Sequence, residues 1–212
     1  MAYEFASASS QYLRTSSSPV SGVPLTLACW FRGNGTPATG VFWPIIVLND
    51  TGSNDRVNIA VTGSNVTCAF VDDGVDAATA TATGEYTSGS WIHGCAIHAS
   101  SSSREIYVNG VSKGTNTSAL NSLSSFNRMT IGSNHIASAF FNGSIAEVGV
   151  WNVALTASEI ASLAKGVTCD QVRPQSLVFY APLIRDLVDL RGGLTITNNN
   201  TATVSAHPRV YA

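Results

Sequence analysis

The stretch NGSIAEVGVWNVALTASEIASLAKG, Asn142–Gly166, restricts the fold more than any other part of the chain. Its first half alternates as a β-strand does. Its second half carries a full set of helix signals. Thr156 is an N-cap, and Glu159, three residues on, closes a capping box. Leu155 before the cap and Ile160 after it form a hydrophobic staple. Ile160, Leu163 and Ala164 share one face, Lys165 suits the negative end of the dipole, and Gly166 fits the C′ position. The spacing predicts one short helix near residues 157–165. A helix of that length does not hold in water by itself. It needs a sheet to lie on, and we expect it over an end or edge of a sandwich.

The rest of the chain reads as strands. In LTLACWFR, Leu25, Leu27, Cys29 and Phe31 fall on one face; Thr26, Ala28, Trp30 and Arg32 fall on the other. Both faces are largely apolar, as in a central strand. Val57, Ile59 and Val61 alternate with Asn58 and Ala60, and the turn Thr62–Asn65 leads into VTCAFV, a hairpin. SWIHGCAIHA puts Trp91, His93, Cys95 and Ile97 on one face. Ile106 and Val108 alternate with Glu105 and Tyr107 before Asn109-Gly110, a pair suited to the positive φ angles of a type I′ turn. RMTIGSN, SIAEVGVW and SLVFYAPLI add further strands, and Pro182 marks the end or edge of the last. Short strands separated by turns, with almost no helical periodicity, predict an all-β sandwich.

The 212 residues suffice for one well-filled core, and we expect one domain over 1–212 with residues 176–212 as a C-terminal strand and tail. Charged residues are only 11%, against about 25% in ordinary domains, so neutral polar groups must cover the surface. With a net charge of −2 and no Lys/Arg run, nucleic acid is not an expected partner. No apolar run approaches a membrane span, and the opening residues lack the basic-then-apolar pattern of a signal peptide. The four cysteines, at 29, 68, 95 and 169, have no metal-type spacing and read as buried thiols.

FNGSIAEVGVWNVALTASEIASL resembles the closing segment of laminin G-like and pentraxin domains, within the concanavalin A-like lectin/glucanase fold. LTLACWFRG, GSWIHGCAIHASSSSREIYVNGVSKG and MTIGS resemble further segments of these domains in the same order. The likeness runs from about Tyr3 to Gly166. It implies two packed antiparallel sheets in a jelly-roll arrangement. It also implies that Cys29 and Cys95 lie on paired strands joined by a disulfide in pentraxins, although Cys29 sits one residue beyond the matching position, which turns it to the other face.

Catalysis is not expected. Retaining glucanases need two carboxylates about 5–5.5 Å apart. The five glutamates, at 4, 85, 105, 147 and 159, show no such same-strand pattern. The pentraxin calcium cluster, just before the Gly-x-Ile strand, matches Ser133–Phe141 here, which holds no carboxylate. Calcium is still the candidate cofactor, at two acidic turns that carry Asp50 with Asp55 and Asp72 with Asp73; the same residues also serve simply as turn formers. For glycans, the candidates are Trp43 near a loop and the loop residues Asn134, His135, Phe140 and Phe141.

Two functional classes stay open. One is a structural or decoration component of a virus or phage particle with glycan-binding ability, favoured by the low charge and the missing signal peptide. The bare, Ser/Thr-rich style also resembles laminin G-like domains of phage and marine virus proteins. The other is a free lectin, and a glycoside hydrolase is a distant third. The expected partners are other subunits of an assembly, cell-surface glycans, or further copies of the chain; the expected location is a virion surface or the extracellular space.

Overall fold

The computed structural model describes residues 1–53, 55–72, 76–121 and 125–210, with the side chains at 68–72 and 76 outside the description. Its strands are β1 (Ala2–Phe5), β2 (Tyr12–Thr15), β3 (Leu25–Gly33), β4 (Phe42–Asn49), β5 (Arg56–Thr62), β6 (Asn65–Asp72), β7 (Asp76–Ala82) and β8 (Ile92–Ser100). They continue as β9 (Ser103–Val108), β10 (Val111–Asn116), β11 (Arg128–Ile131), β12 (Gly143–Trp151), β13 (Leu177–Ala181), β14 (Ile196–Asn199) and β15 (Thr203–Ser205). The α-helix, α1, spans Ala157–Ala164.

An eight-stranded sheet runs β10-β9-β8-β3-β12-β1-β15, with β13 also on β12; a seven-stranded sheet runs β14-β2-β11-β4-β5-β6-β7. Pairing is antiparallel throughout. The alternation seen in sequence sets the register. Leu25, Leu27, Cys29 and Phe31 of β3 face Val57, Ile59 and Val61 of β5 across a common core. The chain after α1 serves both sheets: β13 joins β12, β14 joins β2 and β15 joins β1.

The helix reaches the edge hairpin β9–β10 and extends inward to β8. It lies on the outer face of the eight-stranded sheet, and the reason is composition. The outward side chains Ala28, Cys95, Ile97, Tyr107 and Trp151 are apolar or aromatic, and they form a second core with Leu155, Ile160 and Leu163. Burying each of the last three is worth about 1.5–3 kcal/mol. Asn109 and Gly110 both take positive φ, 50° and 82°, so the β9–β10 hairpin turns tightly. A Cβ on Gly110 would come within 3.1 Å of the Ala161 backbone, so glycine also lets the hairpin tip reach the helix.

At the helix N-terminus, the Thr156 hydroxyl accepts from the Glu159 N–H at 3.4 Å, and Glu159 accepts from the Thr156 N–H at 2.7 Å. Arg173 adds a 2.7 Å ion pair to Glu159. Lys165 is the C-cap, and Gly166 follows at φ 95°. Thr156→Ala is expected to cost about 1 kcal/mol in chemical denaturation, and Thr156→Ser to restore most of it.

Cys29 lies in the main core and Cys95 in the second, one on each face of the sheet. Both are buried, as is Cys169, and burial pushes the Cys29 and Cys169 thiols up. Adjacent register positions, Ala28 opposite Cys95 and Cys29 opposite Gly94, account for the opposed faces. The side chain of Cys68 lies outside the description.

Candidate functional site

The helix covers part of the outer face of the eight-stranded sheet. The seven-stranded sheet offers a different outer face. On β2, Leu13 faces the core and its neighbours Tyr12 and Arg14 turn outward. Register then aligns Arg14 with Thr130, Val47 and Asn58, and aligns Arg128 with Asn49 and Arg56. One polar face thus gathers residues more than forty positions apart in the sequence.

The loop between β11 and β12 folds back over this face. The Thr130 hydroxyl donates to the Ser133 carbonyl at 2.9 Å, and Arg128 Nη1 donates to the His135 carbonyl at 3.4 Å. Asn134 braces the loop from within: its Oδ1 accepts from the N–H groups of Ser138 and Ala139, and its Nδ2 donates to Ser138 Oγ. Burial holds His135 below the usual imidazole range, and the charges of Arg56 and Arg128 act in the same direction. Phe140 lies 6.0 Å from the Tyr12 ring, and the Arg14 guanidinium sits 5.2 Å over that same ring. Tyr12 and Phe140 are both half-buried, so each keeps a wet side.

The same face, farther along the sheet on β4 and β5 and in the loop, holds polar atoms that lack partners among the described residues. Asn49 Oδ1, Asn58 Oδ1 and His135 Nδ1 are buried and have no hydrogen-bond partner among the described residues. A buried acceptor without a donor costs about 1–3 kcal/mol. Hydroxyl donors from water or a ligand would gain most at such atoms.

Trp43 does not belong to this face. It is the second residue of β4, just after a loop, and packs against the main core with its ring 6.0 Å from Phe141. Asn49 and Asp50 lie at the other end of β4, about 20 Å away at ~3.3 Å per residue. Phe141 is fully buried. Pro44 interrupts the strand signal in the sequence, and a bulge between Pro44 and Ile46 accommodates it.

Asp50 and Asp55 lie at one end of this sheet, between β4 and β5. Arg56 pairs with Val71, so the start of β5 lies beside the end of β6. The Asp50 carboxylate accepts from Gly52 N–H, Ser53 Oγ and Asn127 Nδ2, each at 2.9 Å, and these bonds hold it below its ordinary value, Gly52 first. Asp55 is buried. Asp73 lies outside the described residues, as does the side chain of Asp72. Among the described residues, no three His, Cys, Asp or Glu side chains converge as metal ligands.

The glutamates are engaged one by one with neutral or cationic partners. Glu4 accepts from Asn34, Glu85 pairs with Lys113, Glu105 accepts from Ser112, Glu147 meets Tyr180 and His207, and Glu159 serves the helix cap. His93 is buried with its ring 5.4 Å from Trp30, and burial lowers it to about 3, so it is neutral near pH 7.

Comparison with known proteins agrees with this architecture. A native heptameric SAP-like pentraxin from Limulus polyphemus superposes with a TM-score of 0.65 at 16% identity, over 91% of this chain and 87% of that one. The binding domain of botulinum neurotoxin serotype G superposes with a TM-score of 0.53 at 13% identity, over 71% of this chain and 37% of that one. No curated protein sequence matches the chain. A family model described as the concanavalin A-like lectin/glucanases superfamily matches residues 7–161, from the start of the β1–β2 connection into α1. With its two antiparallel sheets and that match, the chain belongs to the concanavalin A-like lectin/glucanases superfamily.

Proposed function

We propose that the protein is a non-catalytic carbohydrate-binding module that takes glycans on the outer face of the seven-stranded sheet, beneath and beside the loop Ser133–Phe140. The observation that carries this reading is the Phe140–Tyr12–Arg14 stack on the outer face of the seven-stranded sheet, the face that also holds the orphaned oxygens of Asn49 and Asn58 on β4 and β5. A sugar presents C–H faces to aromatic rings and hydroxyl donors to such acceptors, the usual division of labour in a ligand site. The engaged state of every glutamate supports binding without hydrolysis. Membership of a superfamily rich in binding domains supports it too.

We place the module on a larger assembly, a virus or phage particle, or in the extracellular space as a free lectin. Further copies of the chain are candidate partners, since the pentraxin neighbour is heptameric. Calcium is proposed at the acidic segments that carry Asp50 with Asp55 and Asp72 with Asp73.

A glycan array with the purified chain, with calcium and with a chelator, tests both ideas. We expect binding that falls at least about tenfold in Tyr12→Ala/Phe140→Ala, the loss of roughly 1.4 kcal/mol, and binding that survives in Trp43→Phe. Loss in chelator assigns calcium to the acidic turns. Absence of binding to any glycan overturns the reading and leaves a structural role in the assembly.

A further inference from the structure

Glu147 is the least expected ionisable group in the fold. It lies in the middle of β12 with φ 54°, in the bulge between Ala146 and Gly149, and is only 4% exposed. A side chain in that conformation is strained. The carboxylate accepts a 2.6 Å hydrogen bond from the Tyr180 hydroxyl. That length is typical of a hydroxyl bonded to an ionised carboxylate. Tyr180 belongs to the second core, so the carboxylate lies on the outer side of the eight-stranded sheet. A buried carboxylate needs a counter-charge.

His207 faces it. Its Nε2 lies 3.2 Å from Glu147 Oε1, and its side chain is 10% exposed. Its Nδ1 lies 2.8 Å from the Pro208 carbonyl oxygen. A carbonyl only accepts, so Nδ1 carries a proton. In the neutral ring, Nε2 would then turn a lone pair toward the carboxylate. Only the imidazolium is attracted there. The contact is sixty residues long in sequence and joins the segment after β15 to the centre of the sheet.

We propose that residues Ala206–Val210 form a strap, fastened across the outer face of the eight-stranded sheet by the His207 imidazolium on Glu147, and that the strap loosens when the imidazole gives up its proton. The other groups around the pair are the Met1 amine and Arg185 near the start of β1, Tyr180 on β13, and Cys169 and Asp170 in the 3-10 turn after α1. Cys169 also touches the Glu147 carbonyl. Tyr180 is pushed up by burial and then by the Glu147 charge, and burial pushes Cys169 up, so both keep their protons through neutral pH. Burial lowers the Met1 amine, which loses its charge in the same direction as His207. Variants at position 207 separate the two.

The sign follows from the charges. The fastening is present while the imidazole is charged and is lost once the imidazole has given up its proton. Amide hydrogen exchange on β15 and residues 206–210, corrected for intrinsic rates, reads the strap at about pH 5.5 and about pH 8. In the wild-type chain we expect roughly tenfold faster opening at the higher pH. His207→Ala should open fast at both values, and His207→Lys, which stays charged, should open slowly at both. Equal protection of the wild-type strap at the two pH values overturns the proposal. So does a pH response that survives in His207→Ala, which would hand the effect to the Met1 amine.

Discussion

Gly143→Ala is expected to destabilise the fold by about 4 kcal/mol or more, and Gly143→Val to fare little worse. Gly143 stands where three strands meet: it is opposite Gly33 of β3 and Phe5 of β1. Its φ is 148°, in the region that side chains rarely adopt. A Cβ there would lie 2.2 Å from the Arg32 carbonyl oxygen and 2.6 Å from the Gly33 Cα. Both obstacles are backbone, so no rotamer change relieves them. The flanking contacts tie the same corner: Asn34 N–H donates to the Asn142 carbonyl at 2.8 Å, and Asn142 Nδ2 donates to the Asn34 carbonyl at 2.7 Å. A β12 pushed off β3 loses that corner and the core behind it. Chemical denaturation of both variants distinguishes the causes. Because the first added carbon makes the collision, alanine should already carry most of the loss. A near-neutral alanine with a severe valine would instead mean a limit on side-chain volume, and the backbone argument would fail.

Much of the fold is legible in the sequence because strand periodicity and burial coincide. Val57, Ile59 and Val61 alternate and all reach the main core. Asn109-Gly110 announces its turn, and Thr156 with Glu159 announces the helix start. Other elements carry no such signal. β14 and β15 are short edge strands with polar or exposed residues, Ile196 excepted, so neither alternates strongly. β4 is obscured by Pro44, so the packing of Trp43 on the core has no clear local signal. The helix's place on the outer face has no local signal, because Ala28, Cys95 and Trp151 become one apolar surface only when β3, β8 and β12 pair.

The candidate site was legible only in pieces. His135 and Phe140 stand in one short run, and they do reach the outer face of the seven-stranded sheet. Tyr12, Arg14, Asn49, Asn58 and Arg128 join them through sheet order, β2-β11-β4-β5, which alternation cannot reveal. A face assembled from four strands has no local signature. The same holds for Glu147 and His207, whose meeting depends on β15 pairing with β1.

Trp151→Ala should cost about 3–5 kcal/mol, with Trp151→Phe costing clearly less. Trp151 is fully buried at the end of β12, and its Nε1–H donates to the Val172 carbonyl at 2.9 Å. Alanine removes the largest side chain of the second core and leaves that carbonyl without its donor; phenylalanine loses the hydrogen bond but keeps most of the volume. The two cores lie on opposite faces of the eight-stranded sheet, so the damage should be uneven. Hydrogen exchange in Trp151→Ala should quicken most in α1 and in the segment around Cys169–Val172, while β4 and β5 in the main core stay protected until global unfolding. If exchange quickens equally in β4 and β5, the helix and its underlying residues are part of one cooperative unit with the sandwich. The uneven pattern would instead make the helix a separately stabilised cover, so that its loosening leaves the opposite face, with Tyr12 and Phe140, intact.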